Sequence, residues 1–148
     1  MKRWLTTGLT LAAIAAVCVT VVAATYRLTA TRIADNRLAF LESRLAPALG
    51  TVDYDTRPAG DAITLMPPHR LPGNEPATIY RVYRDGQPAA ALFAVSARNG
   101  YAGPIRVLIG IDAAGAVTGV RILEHEETPG LGDGIEASRS DWIEQFPG

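Results

Sequence analysis

The sequence predicts an α+β fold, with one N-terminal transmembrane helix followed by a domain of antiparallel β-hairpins with flanking helices. Three observations predict it. No residue from Trp4 to Tyr26 carries a charge, and at about 1.5 Å per residue such a run spans roughly 30 Å, the thickness of a hydrocarbon core. Leucines 38, 41, 45 and 49 recur at helical spacing beyond it. Residues 78–123 then fall into short β-rich runs separated by glycine-containing turns.

The apolar run is rich in threonine and alanine, which makes its insertion energy moderate. A secretory signal has an apolar core of roughly 7–15 residues, shorter than this one, although Val22-Ala23-Ala24 resembles a cleavage site. Cys18 is the only cysteine, and Ala15-Ala16-Val17 before it lacks the small residue expected beside a lipidated cysteine. An uncleaved anchor is therefore expected. Lys2 and Arg3 precede the span while Arg27, Arg32 and Arg37 follow it, so the charge count leans slightly against export of the following domain. Without a cysteine outside the run there is no disulfide and no thiol nucleophile to consider there.

Residues 27–46 read as an amphipathic helix, with Arg32, Asp35, Arg37, Glu42 and Arg44 among its leucines, ending near Pro47. From Asp53 to Pro76 the prolines at 58, 67, 68, 72 and 76 break any period, and an irregular segment is expected, with His69 on its surface. Thr78–Arg84 and Ala89–Ala97 flank Asp85-Gly86, the strongest hairpin signal in the chain. Ile105–Asp112 and Ala116–Leu123 flank Ala113-Ala114-Gly115 as a second hairpin. Asn99-Gly100-Tyr101-Ala102-Gly103-Pro104 links the two. It is glycine-rich, but no Lys-Ser/Thr follows and a strand comes next, which argues against a nucleotide-triphosphate site. Ser140 is a plausible N-cap for a short helix whose apolar face is Trp142, Ile143 and Phe146. Such a helix needs something to pack against, so the domain is expected to continue beyond residue 148.

Net charge is −1 and the sequence pI about 6.1, so nothing points to nucleic acid as a partner. The acids concentrate late. Glu124, Glu126, Glu127, Asp133, Glu136, Asp141 and Glu144 face Arg139 alone, and a free phosphate would be repelled there. Within this region, Glu124-His125-Glu126-Glu127-Thr128-Pro129-Gly130-Leu131-Gly132-Asp133 gathers polar groups at a strand end and then breaks into Pro-Gly-x-Gly. Pro129 pushes Thr128 into an extended conformation. Gly130 and Gly132 are free to take positive φ and, lacking a Cβ, let a flat ligand approach the backbone. Two other readings of the stretch stand beside a cofactor loop. One is an acidic surface turn. The other is a metal site on His125 and the nearby acids, weakened because on a strand His125 and Glu127 share one face and Glu124 and Glu126 the other, so at most two converge.

Gly100-Tyr101-x-Gly103-x-Ile105, a hairpin, and then Glu124-His125-x-Glu127-Thr128-Pro129-Gly130-Leu131-Gly132-Asp133 resemble the flavin-binding domain of RnfG, the G component of the Rnf ion-translocating electron-transport complex. The sodium-translocating NADH:quinone reductase has a related domain in its C component. The resemblance extends back through Met66-Pro67-Pro68-His69-Arg70 to the anchor. It implies a cell inner membrane protein in three parts. Residues 1–26 form a cytoplasmic tip and transmembrane helix, 27–49 an amphipathic connecting helix, and 50–148 the N-terminal part of a periplasmic FMN-binding domain. It implies FMN as cofactor, with Tyr101, Glu127, Thr128, Pro129, Gly130, Leu131 and Gly132 around it, and other membrane and peripheral subunits as partners, besides the lipid bilayer. It also implies that the FMN phosphate is joined to a threonine in a Ser/Thr-Gly-Ala-Thr segment. Gly115-Ala116-Val117-Thr118 does not match that segment, and the attachment threonine is expected to lie beyond residue 148.

Such a protein relays electrons within a complex that couples electron transfer to ion translocation. The cofactor does the redox chemistry, and no side chain of this chain need act as a base or nucleophile. The alternative is a membrane-anchored assembly module that carries no flavin.

Overall fold

The computed structural model describes residues 2–148, without the side chains of Lys2, Arg3 and Leu5; Met1, the first residue of the expected cytoplasmic tip, lies outside the described residues. The chain divides into two compact units, one running up to Ala39 and the other from Phe40 to Gly148.

The described residues of the first unit are all helical, as part of α1 (Lys2–Leu45). Every described side chain from Trp4 to Tyr26 is exposed, among them Leu9, Leu11, Ile14, Val17, Val19, Val21 and Val22. An all-round apolar surface of this length suits lipid rather than water, and among the described residues this is the one helix long and apolar enough to cross a membrane. The threonines cost less than their polarity implies. The hydroxyls of Thr20, Thr25 and Thr29 donate to the carbonyls of Ala16, Val21 and Thr25 at 2.7, 2.9 and 2.8 Å, and Thr10 donates to Thr7 at 2.9 Å. Each hydroxyl proton is thus satisfied inside the helix. The chain should accordingly stay in carbonate-washed membranes. N-terminal sequencing that began at Ala24 or Thr25 would mean that the run is removed as a signal.

The second unit is a five-stranded antiparallel meander: β1 (Ala62–Leu65), β2 (Ala77–Arg84), β3 (Gln87–Ala97), β4 (Ile105–Asp112) and β5 (Val117–Glu124), paired in sequence order. Both hairpins fall where the sequence places them. Asp85 and Gly86 take φ of 50° and 73°, the pair of positive values that matches strand twist in a two-residue turn. In the second hairpin the Asp112 carboxylate accepts the N–H groups of Ala114 and Ala116, each at 2.9 Å.

β1 is a correction. It lies inside the segment expected to be irregular, because four exposed residues between prolines show no alternation to read. Its register is fixed from outside: Arg81 donates its backbone N–H to the Asp61 carbonyl and its guanidinium to the Asp61 carboxylate. His69 is also more enclosed than expected. It is half-buried, with Nε2 2.9 Å from the Glu75 carbonyl.

One face of the sheet is covered by the last turns of α1 and a 3-10 turn at Ala46–Ala48, where Pro47 ends the helix near the expected point. Leu45, Ala48 and Leu49 pack there with Val82, Ala90, Leu92, Ala94 and Leu108. Each buried leucine contributes about 1.5–3 kcal/mol through loss of apolar surface from water. The 3-10 turn lies directly on two glycines that pair across β4 and β5, Gly110 and Gly119, and Thr118 Oγ1 donates to the Ala48 carbonyl at 2.7 Å. Alternation puts Ile79, Phe93, Val95, Val107, Ile109 and Ile111 on the opposite face, and of these six Val95 alone is buried.

Ser140 caps the C-terminal helix as expected, its side chain accepting the Trp142 N–H at 3.2 Å. The helix is a 3-10 segment, Asp141–Gln145, rather than an α-helix, and it buries Ile143 alone. Trp142 and Phe146 stay half-exposed and meet edge to face, with ring centroids 5.0 Å apart.

Candidate functional site

The loop that leaves β5 is built around its own backbone. Thr128 offers its carbonyl to the N–H groups of both Leu131 and Gly132 at 3.0 Å, which curls Pro129–Gly132 into a tight turn. Gly130 takes φ of 79°, a conformation costly for any residue with a Cβ, and its N–H is held at 2.9 Å by the Asp133 carboxylate. Asp133 is buried, and its second oxygen lies 3.4 Å from the Arg139 guanidinium. A Cβ on Gly130 would meet nothing, so its backbone is open to solvent.

Gly132 departs from the expectation of positive φ. It takes −109°, and glycine is required there for space, because a Cβ would come within 2.8–2.9 Å of the Glu127 side chain. That side chain connects two loops. Glu127 Oε1 accepts the Ala102 N–H at 3.2 Å, so the Asn99–Pro104 link is tied to the turn after β5. A Cβ on Gly100 would likewise meet Glu127 Oε1 at 2.8 Å, as well as the Gly103 carbonyl and Ile105. The carboxylate is therefore turned toward protein backbone, which lowers the negative charge presented outward.

On these joined loops stand the two most exposed large apolar side chains of the second unit, Tyr101 at 98% and Leu131 at 87%. Thr128 and Pro129 beside them are exposed as well. An aromatic ring, an isobutyl group and a bare glycine backbone thus stand exposed on two loops joined through Glu127, a candidate apolar shelf.

Behind the shelf, His125 closes the loop at its base. Its side chain is only 12% exposed, Nε2 lies 2.8 Å from Glu136 Oε1, and Nδ1 lies 3.1 Å from the Glu127 amide nitrogen. Ser138 donates to the other Glu136 oxygen at 3.0 Å. The hydrogen bonds from His125, then Ser138, hold the Glu136 carboxyl below its ordinary value. A carboxyl whose folded value is depressed contributes stability above its unfolded value and loses it as pH falls through the lower folded one. The clip should therefore persist through the ordinary glutamate range near pH 4.3 and open only below it. Carboxyl-carbon NMR shifts of Glu136 against pH check this; a midpoint at or above that of a free glutamate would contradict it.

Sequence reasoning singled out Tyr101, Glu127, Thr128, Pro129, Gly130, Leu131 and Gly132, and the fold brings the two segments together. It missed Glu136, which lies eleven residues beyond His125 and carries no motif of its own. Among the described residues no three of His, Cys, Asp and Glu converge as metal ligands.

Residues 1–47 match the family model of the RnfG N-terminal region, and residues 100–146 match that of an FMN-binding domain. Similar proteins include the G subunit of the ion-translocating oxidoreductase complex of Vibrio cholerae, 40% identical over 144 residues, which are 95% of this chain and 67% of that protein. The protein of the same name from Pseudomonas aeruginosa is 35% identical over 147 residues, 99% of this chain and 69% of the relative. That of Pseudoalteromonas atlantica is 36% identical over 139 residues, 94% and 65% of the two chains.

Proposed function

This chain belongs to the RnfG family, the G subunits of ion-translocating oxidoreductase complexes, and from that premise we propose that it is a single-pass inner-membrane protein holding FMN on its exposed shelf as an electron relay to neighbouring subunits. The domain after the anchor faces the periplasm, and its partners are other membrane and peripheral subunits of the complex. The observation that carries the flavin assignment is the pair Tyr101 and Leu131, exposed on two loops that Glu127 ties together. An apolar shelf with an open glycine beside it fits the planar ring, and bound FMN supplies the electron-transfer chemistry.

The chain's own residues position the ring and shield one face of it from water. Tyr101 stacks, Leu131 covers, and Gly130 lets the ring approach backbone, while Thr128 and Pro129 shape the turn. The exposed acids Glu124 and Glu126 direct the phosphate end away from this loop. Thr118, in the only segment that approaches the attachment pattern, donates its hydroxyl to Ala48 beneath the 3-10 turn, which suits a structural role. Thr118 is therefore not an attachment residue, and intact-mass measurement of the 148-residue polypeptide should return its unmodified mass.

Titration of FMN with the full chain in detergent micelles, followed by flavin fluorescence, tests the assignment. Loss of the ring contact or of the leucine's buried surface removes about 1.5–2 kcal/mol, so Tyr101→Ala and Leu131→Ser should each weaken binding about tenfold or more. Wild-type affinity in both folded variants would dismiss the shelf. Absence of binding by the wild-type chain would leave the flavin-free assembly module as the better reading of it.

A further inference from the structure

We propose that His125 is a proton-dependent positioning residue: with Nδ1 unprotonated it holds the Glu127 backbone in place, and uptake of a proton at Nδ1 releases it. The consequence for flavin rests on the function proposed above; the effect on the loop does not.

The contacts define the tautomer. A backbone amide can only donate, so the Nδ1 atom 3.1 Å from the Glu127 nitrogen must present its lone pair. The ring proton is then on Nε2, from which it is donated to Glu136 Oε1 at 2.8 Å. The other neutral tautomer would set two N–H groups against each other at Glu127 and a lone pair against the carboxylate at Glu136. Both ring nitrogens are thus committed in one arrangement, on a side chain that is largely buried.

Adding a proton has opposite effects at the two ends. The imidazolium keeps its Nε2–H bond to Glu136 and turns it into an ion pair. At Nδ1 the acceptor becomes a donor facing the Glu127 N–H, so that bond is lost. Glu127 also carries the link to Ala102 and fills the space beside Gly132, and a shift of its backbone reaches both loops of the shelf.

The surrounding charges are divided. Arg121 on β5 and Arg44 at the end of α1 line the same cavity of about 300 Å³ as His125, and both oppose a further cation. Arg121 is engaged by Glu144 at 3.0 Å. Glu136, on the segment closing that cavity, favours a cation, as do Glu124, Glu126 and Glu127 beside His125 in sequence. Asp133 is matched with Arg139 nearby.

The test uses the full ¹⁵N-labelled chain in detergent micelles, titrated from pH 8 to pH 5, the range in which imidazoles change charge. Histidine ¹⁵N shifts should show the Nε2–H tautomer at pH 8. The amide signals of Glu127, Ala102 and Gly132 should move with the same midpoint as the His125 ring. His125→Asn places an acceptor oxygen where Nδ1 stands and should hold those amides at their pH 8 positions throughout. His125→Gln can still donate to Glu136 but leaves the Glu127 N–H without its acceptor, and should give the acid-form positions at every pH. FMN affinity should fall about fivefold from pH 8 to pH 5 in the wild type, the scale of one lost hydrogen bond, and stay level in His125→Asn.

An Nδ1–H tautomer at pH 8, amides that ignore the ring, or unchanged pH dependence in His125→Asn would each overturn the proposal. The first two readings need only the wild-type chain, so a variant that fails to fold leaves them decisive. If amide coupling is present but FMN does not bind at any pH, the positioning role stands and the flavin assignment falls.

Discussion

Gly110→Ala should cost at least about 3 kcal/mol of stability, at the upper end of what one added carbon does in a packed interior. The new Cβ would lie well inside contact distance of the Ala48 carbonyl oxygen and of Thr118 Oγ1, and nearby Gly119 has no room to relieve it, with Ala48 and the Pro47 carbonyl 3.0 Å from its own would-be Cβ. A backbone carbonyl cannot rotate aside as a flexible side chain can. The 3-10 turn must lift from the sheet, taking the Thr118–Ala48 hydrogen bond and the packing of Leu45 and Leu49 with it. Thermal unfolding followed by circular dichroism of the full chain in micelles measures this. Gly60→Ala is the control, since a Cβ there meets nothing. A cost below about 1 kcal/mol for Gly110→Ala would mean that the turn does not bear on the glycine pair.

Gly100→Ala should separate binding from stability. Its Cβ would strike the Gly103 carbonyl, and would stand 2.8 Å from Glu127 Oε1 and 2.9 Å from Ile105 Cγ1. The Asn99–Pro104 link is a surface loop that can yield, so the global loss should be only about 1–2 kcal/mol. The yielding breaks the Glu127–Ala102 bond and displaces Tyr101, the residue beside Ala102. FMN affinity should therefore fall more than about tenfold. Flavin titration alongside the melt checks the pair of values. A variant that binds FMN like the wild type despite the substitution would show that the two loops need not be joined for the shelf to work.

What the sequence disclosed depended on how far apart the interacting residues are. The apolar run, the Asp85-Gly86 turn and the Ser140 cap are settled by neighbours within a few positions, and each falls where the residues place it. The glycine-rich link and the Pro-Gly-x-Gly turn were legible as separate segments, but their joining through Glu127 spans 25 residues of chain, and no local pattern encodes it. Gly132 illustrates the limit: its residue type was informative, yet the reason was the bulk of Glu127 and not a positive φ. β1 was hidden because an exposed edge strand needs no alternation. A usable signal was overlooked at Gly110 and Gly119, since glycines inside two adjacent strand patterns mark a close approach of backbone.

The seating of Leu45, Ala48 and Leu49 in the core of the second unit bears on how pieces of this protein can be prepared. A water-soluble fragment starting at residue 50 would dispense with three buried side chains and expose Val82, Leu92 and Leu108 beneath them, inviting aggregation. A fragment starting at Phe40 keeps the whole compact unit. Limited proteolysis should reflect the same boundary. The stable product is expected to retain the Leu41–Leu49 segment, because a protease needs an extended substrate and those turns are held against the sheet.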